Sequence, residues 1–69
     1  MKRETEAELR AVLAERYRIM PETLVQVGSS TKLMPLARAF RYCRPGSAIR
    51  LAGNSRNLVE RGIDGTWYY

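Results

Sequence analysis

The chain has 69 residues, of which 12 are Lys or Arg and seven are Asp or Glu, so its net charge is +5. A chain of this length forms one domain with a small core, and we expect a single domain over residues 1–69. One cysteine excludes an internal disulfide, and the lack of histidine argues against a conventional zinc site and against Ser–His or Cys–His catalysis. We therefore expect a protein that is not an enzyme and that uses no metal or cofactor.

The first ten residues are charged and lack the apolar run of a signal peptide or a membrane span. Together with the single cysteine, this predicts a cytoplasmic location and no membrane insertion. Hydrophobic residues make up 45% of the chain, which is typical of a folded domain. The basic charge is therefore expected on a structured surface.

Residues 5–18 are predicted to form an amphipathic helix. Thr5 and Glu8 match the capping-box pattern, in which each side chain binds a backbone N–H at the start of a helix. Glu6 and Arg10 have the i,i+4 spacing of an ion pair on the solvent side. The apolar residues follow at helical spacing: Leu9, Val12, Leu13 and Tyr17.

A short strand and a second helix are predicted next. Residues 23–28 alternate as a strand does and end at Gly28. Residues 32–43 are predicted to be helical, with Pro35 in the first turn, where proline is tolerated. The side chains expected to face inward are Leu33, Leu36, Ala37 and Phe40.

Residues 47–69 are predicted to form a three-stranded meander. Its turn signals are Gly53-Asn54 and Asp64-Gly65. A rival interpretation makes residues 55–61 a short helix, because Ser55 and Asn57 both suit helix caps.

Tight turns would also set the two faces of the meander. Ile49 would then lie opposite Leu58, with Trp67 and Tyr69 on the same face. The other face would carry Arg50, Asn57, Val59, Arg61 and Tyr68.

The predicted order of elements is α-β-α-β-β-β. The second helix would connect two parallel strands as a right-handed crossover. We expect an α+β domain in which two helices pack on a small mixed sheet that ends in the meander.

The basic residues are unevenly distributed. No acidic residue lies between Glu22 and Glu60, whereas six basic residues do: Lys32, Arg38, Arg41, Arg44, Arg50 and Arg56. A surface with this excess of positive charge attracts an anionic partner. The alternative is a solvated face that binds no partner. The residues predicted to bind the partner are Lys32, Arg38, Arg41, Tyr42, Arg44, Arg50, Arg56 and Arg61.

The turn after the first predicted strand is a candidate phosphate or anion site. It consists of Gly28, Ser29, Ser30 and Thr31. Backbone N–H groups between a strand and a helix, at the positive end of the helix, bind anions. Alternatively, Ser30 or Thr31 only caps the second helix. Both interpretations remain open.

Cys43 is predicted to be a small buried thiol rather than a reactive one, because it projects near the apolar side of the second helix.

The chain ends in Trp67, Tyr68 and Tyr69. One interpretation places Trp67 and Tyr69 in the core and Tyr68 outside. The other places them on a free edge strand, as a patch for a protein partner or a dimer mate. A core this small also favours a homodimer.

Residues 9–49 contain, in order, an L-x-x-x-L-A-x-x-Y stretch, a Pro-Glu, a strand ending in Gly-Ser, the run Leu-Ala-Arg-Ala-Phe and a Pro-Gly. This order resembles one segment of the fold-type I pyridoxal-phosphate enzymes, of the histidinol-phosphate aminotransferase and threonine-phosphate decarboxylase type. The resemblance implies a strand–helix–strand unit in which Gly28 and Ser29 would cradle the cofactor phosphate. Residues 50–69 do not follow the family, and nothing in the 69 residues matches its Schiff-base lysine domain. The resemblance therefore implies no cofactor chemistry.

The stretch AERYRIMPETL also resembles a helix-turn-helix joint, with Arg18 where a glycine is often found.

The leading functional hypothesis is a non-catalytic, basic binding protein of the regulator or inhibitor type. It would engage an acidic macromolecule, either nucleic acid or an acidic or nucleic-acid-binding protein complex, through residues 32–61. The alternative is an aminotransferase-like remnant that acts as a protein–protein interaction or oligomerisation unit.

Overall fold

A computed structural model describes residues 3–54 and 56–69, which form two helices and one six-stranded sheet. The helices are α1 (Glu6–Tyr17) and α2 (Leu36–Tyr42). The strands are β1 (Arg3–Glu4), β2 (Leu24–Val27), β3 (Met34–Pro35), β4 (Ala48–Leu51), β5 (Asn57–Arg61) and β6 (Trp67–Tyr68). Neither helix is long and apolar enough to cross a membrane. The predicted α+β class is confirmed.

The sheet has the strand order β1-β6-β5-β4-β2-β3, and every pairing found in the described residues is antiparallel. The predicted parallel crossover and mixed sheet are therefore wrong. The reason is the hairpin of β2 and β3, which the sequence analysis did not predict. It returns the chain to the start of β2, so α2 runs alongside β2 and β4 then runs back against it.

Helix α1 begins as its sequence predicts. Thr5 Oγ1 accepts a hydrogen bond from the Glu8 backbone N–H, and the Glu8 carboxylate accepts one from the Thr5 N–H. Leu9 and Leu13 are fully buried, whereas Tyr17 is exposed. Local capping and apolar spacing are therefore sufficient to predict this element.

Helix α2 is shorter than the predicted range 32–43, because Pro35 is its N-cap and residues 34–35 belong to β3. Leu33 consequently lies outside the helix and is exposed. The buried side chains of α2 are Leu36, Ala39 and Phe40, so Ala39 takes the buried position predicted for Ala37.

The meander of β4, β5 and β6 is confirmed, but its register is not the one predicted. A two-residue turn implies that Arg50 pairs with Asn57, and this pairing is found. An irregularity then shifts the register, so Ile49 lies opposite Val59 rather than Leu58. Val59 is therefore in the core rather than on the solvent face.

The rival helix over residues 55–61 is wrong, because residues 57–61 form β5; Ser55, its suggested cap, lies outside the described residues.

Side chains from both helices and four strands form one apolar core. Among the described residues it consists of Leu9, Leu13, Ile19, Val25, Leu36, Ala39, Phe40, Cys43, Ile49, Val59 and Trp67. Phe40 and Trp67 meet edge to face, with ring centroids 5.1 Å apart. Because α1 and α2 supply side chains to the same cluster, polar residues that flank their buried stripes are brought close together.

Candidate anion-binding groove

A shallow groove of about 990 Å³ lies where α1 and α2 meet. Its lining residues are Arg10 from α1, Pro35 before α2, and Ala37, Arg38, Arg41 and Tyr42 from α2. We call this feature the arginine groove. It brings together three guanidinium groups and an exposed aromatic ring.

Two of these arginines lie on the solvent-exposed side of α2. Arg38 and Arg41 are exposed, and they lie three positions apart on a helix whose opposite side buries Leu36 and Phe40. No ion pair involves either of them among the side chains of residues 5–54 and 56–69. Both guanidinium groups are therefore open to an anion from solution.

The third arginine, Arg10, was not predicted to belong to the binding surface. The expected ion pair with Glu6 is present, with 3.1 Å between Arg10 Nη2 and Glu6 Oε2. Its Cζ also lies 5.0 Å from the centroid of the Phe40 ring. Its Nε atom is buried and has no hydrogen-bond partner in the part of the chain that the structure describes. Packing on Phe40 thus places Arg10 beside the two arginines of α2.

Arg50 was predicted for the binding surface, but the structure places it in an internal network. Its Nη1 donates to the Gly28 carbonyl oxygen, and its Nη2 donates to the Ser30 carbonyl oxygen at 3.0 Å. The guanidinium therefore holds the turn that follows β2.

Arg61 has a similar internal role. Its Nη1 donates to the Cys43 carbonyl oxygen at 2.7 Å and its Nε to the Gly65 carbonyl oxygen at 3.3 Å. Its Cζ lies 5.0 Å from the centroid of the Trp67 ring. Arg61 thus joins the end of α2 to the turn before β6.

The remaining predicted contact residues, Lys32, Arg44 and Arg56, are exposed and do not line the arginine groove. They add to the positive electrostatic potential around the chain but are not part of the arginine groove.

The candidate phosphate turn does not have the geometry predicted for it. Gly28 to Thr31 lead into a loop and then β3, so no helix begins at their end. The Ser30 N–H donates to the Val27 carbonyl at 3.0 Å, and the Lys32 N–H donates to Ser30 Oγ at 3.1 Å. Ser30 therefore caps this loop rather than the second helix.

The backbone N–H groups at the start of α2 are also not free to bind an anion. The Leu36 N–H donates to the Thr23 carbonyl at 2.9 Å, and the Ala37 N–H donates to the Pro21 carbonyl at 3.0 Å. These donors, which an anion would use at a helix N-terminus, already have partners.

The C-terminal aromatic residues do not form an edge patch. Strand β6 lies between β1 and β5, so it is not at the edge of the sheet. Trp67 is only 4% exposed and packs in the core, while Tyr68 and Tyr69 are half-buried. The core interpretation of Trp67 is therefore the one that the structure supports.

Cys43 is buried, as expected for a structural thiol. Burial raises the pKa of this thiol, because the thiolate would lose its hydration; the Arg61 charge and a Ser47 hydrogen bond act in the opposite direction. Across the described ranges, no three His, Cys, Asp or Glu side chains cluster so as to hold a metal ion.

No known protein family, no curated protein and no solved structure matches this chain. The strand–helix–strand unit implied by the aminotransferase resemblance is not formed with parallel strands, because β2 and β4 are antiparallel. Gly28 and Ser29, which correspond to the phosphate-binding positions of that family, do not lead directly into a helix. The function must therefore be inferred from the groove itself.

Proposed function

We propose that this protein is a non-catalytic binding module, of the regulator or inhibitor type, that holds an acidic macromolecule in the arginine groove. The observation that carries this proposal is the convergence of Arg10, Arg38 and Arg41 from two helices. An arginine binds phosphate or carboxylate oxygens through a planar fork of donors, and three of them in one groove favour a polyanion over a single charge.

Fewer residues are proposed to bind the partner directly than the sequence predicts. Arg50 and Arg61 each donate two hydrogen bonds to backbone carbonyl groups of the chain itself, and neither residue lines the arginine groove. The binding donors are accordingly those of Arg38 and Arg41, joined by Arg10 when it exchanges its surface ion pair with Glu6 for the partner's anion. Lys32, Arg44 and Arg56 contribute to long-range attraction.

Two double variants test the proposal. Arg38→Glu with Arg41→Glu reverses two charges inside the groove, and Arg16→Glu with Arg56→Glu reverses two exposed charges outside it. Both lower the net charge from +5 to +1. Any difference between them therefore reports the position of the charges rather than their sum.

Binding is measured by fluorescence anisotropy with three labelled polyanions: an oligothymidine of about 15 nucleotides, its duplex with oligoadenosine, and poly-L-glutamate. We expect the groove variant to bind at least one of them about tenfold or more weakly, while the control variant loses much less. Circular dichroism should show both variants folded. Equal losses in the two variants, or no binding of any polyanion by the unmodified protein at low salt, would overturn the proposal.

Salt dependence gives a second measure of the same contacts. If three arginines neutralise three phosphates of a single strand, affinity should fall roughly 20-fold between about 50 and 200 mM salt. The groove variant should show a shallower dependence, because two of those contacts are gone.

A further inference from the structure

We infer that the arginine groove binds single-stranded nucleic acid, with a base stacked on Tyr42 and the adjoining phosphates held by Arg38, Arg41 and Arg10. This inference rests on the proposed function and specifies its partner.

Tyr42 is the residue that points to a base. It is the last residue of α2, it lines the groove, and 63% of its surface is exposed. Single exposed apolar residues are common on protein surfaces and need no explanation. Tyr42 differs because its ring stands one helical turn from Arg38 and next to Arg41, within the same groove.

An aromatic ring that lines the same groove as three guanidinium groups matches the repeating chemistry of a single strand. Each nucleotide offers one flat base and one anionic phosphate, and proteins that bind single strands combine a basic groove with aromatic stacking platforms. Tyr42 supplies the platform and the three arginines supply the basic groove. Both requirements are met within the residues that line one depression.

A duplex fits these residues less well. In a double helix the base faces are stacked on one another, so Tyr42 could stack only after a base had been displaced, which costs free energy. Helix α2 is also only seven residues long, about 10 Å, and Pro35 and β3 adjoin its start. It is therefore short for a helix that must enter a major groove and also carry its own phosphate contacts.

An acidic protein face would pair with the arginines but would make less use of the ring. Aromatic hot spots in protein interfaces are surrounded by contacts that exclude water. Three of the other five lining residues of the groove are instead arginines, and two of these arginines are exposed. The observations thus favour a nucleic acid strand, and the protein partner becomes an outcome of the test.

The test separates stacking from charge. Tyr42→Ala removes the ring, and Tyr42→Phe keeps the ring without the hydroxyl. The probes are labelled oligothymidine and oligouridine of about 15 nucleotides, the thymidine–adenosine duplex, poly-L-glutamate, and an abasic strand with the same number of phosphates.

We expect Tyr42→Ala to weaken binding of the two base-containing single strands by about 5- to 150-fold. Tyr42→Phe should stay within about twofold of the unmodified protein, since the stacking face is kept. Binding of the abasic strand should not respond to Tyr42→Ala, because it has no base to stack. The relative affinity for oligothymidine and oligouridine reports whether the strand is DNA or RNA.

Two outcomes overturn the inference while leaving the proposed function intact. In one, the arginine variant weakens oligothymidine binding but Tyr42→Ala does not. In the other, the duplex or poly-L-glutamate binds through the groove more tightly than any single strand. Failure of every polyanion to bind would instead remove the proposed function, so the two failures are distinguishable. Because Tyr42 is exposed, Tyr42→Ala should remain folded, and its circular dichroism spectrum verifies this.

Discussion

The guanidinium of Arg61 lies over the indole ring of Trp67, with its Cζ atom 5.0 Å from the ring centroid. The same group donates hydrogen bonds to the carbonyl oxygens of Cys43 and Gly65. One charged side chain therefore links the end of α2, strand β5 and the start of β6, and it covers the edge of the core at Trp67. Arg61, which the sequence places among the residues expected to bind a partner, therefore stabilises the fold.

We expect Arg61→Ala to lower the free energy of unfolding by about 1–3 kcal/mol, because two carbonyl groups lose their donor and the ring loses its cation. Arg61→Lys should lower the free energy of unfolding by less than Arg61→Ala does, since it keeps the charge but not the fork of donors. Urea denaturation followed by circular dichroism measures the change. The matched control is Arg44→Ala, an exposed arginine, which should alter stability by within about 0.5 kcal/mol. Equal effects of the two alanine variants would contradict this assignment.

Gly28→Ala should destabilise the chain for two separable reasons. Gly28 has φ +57°, a conformation that costs an L-residue roughly 1–2 kcal/mol, and an added Cβ would lie 2.9 Å from Ser47 Oγ. The second cost should disappear in a Ser47→Ala background, whereas the first should remain. Urea denaturation of the two single variants and the double variant gives the coupling between the sites. Strictly additive effects would show that the contact with Ser47 contributes nothing.

Trp67→Ala should cost about 3–5 kcal/mol, because it removes a buried ring that packs edge to face on Phe40. Tyr68→Ala, the neighbouring half-buried position, should cost clearly less. Thermal and urea denaturation monitored by far-ultraviolet circular dichroism compares them. If Trp67→Ala were as mild as Tyr68→Ala, the indole would not be a core residue.

Cys43 should react slowly in the folded protein. Cys43 is buried, and burial also raises its pKa, so the folded state offers the reagent less access and a smaller thiolate fraction than the unfolded chain. Iodoacetamide should therefore alkylate it much faster after unfolding in urea. Mass spectrometry of timed samples measures both rates. Equal rates in the two states would mean that the thiol is accessible.

The same shift predicts how stability depends on pH. The folded state holds the thiol proton more tightly than the unfolded chain, whose pKa is the ordinary 9.0. The associated stabilisation is therefore complete below that value and is lost as the pH rises through it towards the higher folded pKa. Urea denaturation at neutral and alkaline pH should show this decline in the unmodified protein, and Cys43→Ala should show less of it. An identical pH dependence in both would rule out Cys43 as its source.

Some features of this protein follow from its sequence by itself. The start of α1 is set by Thr5 and Glu8, which are three residues apart and satisfy each other's backbone donors. The turn residues Gly53 and Asn54 predict a hairpin between β4 and β5, and this hairpin forms, with the Asn54 N–H donating to the Leu51 carbonyl oxygen at 3.0 Å. These interactions are local, so their partners are neighbours in sequence and can be recognised there.

Other features were decided only by the tertiary structure. The direction of β4 depends on the hairpin of β2 and β3, which returns the chain before α2 begins. The role of Arg50 depends on carbonyl groups 20 and 22 residues away. The place of Arg10 in the groove depends on the Phe40 ring of a different helix. A charged residue has the same sequence pattern whether its donors are free or engaged, and only the packing of distant segments determines which arginines remain open to a partner.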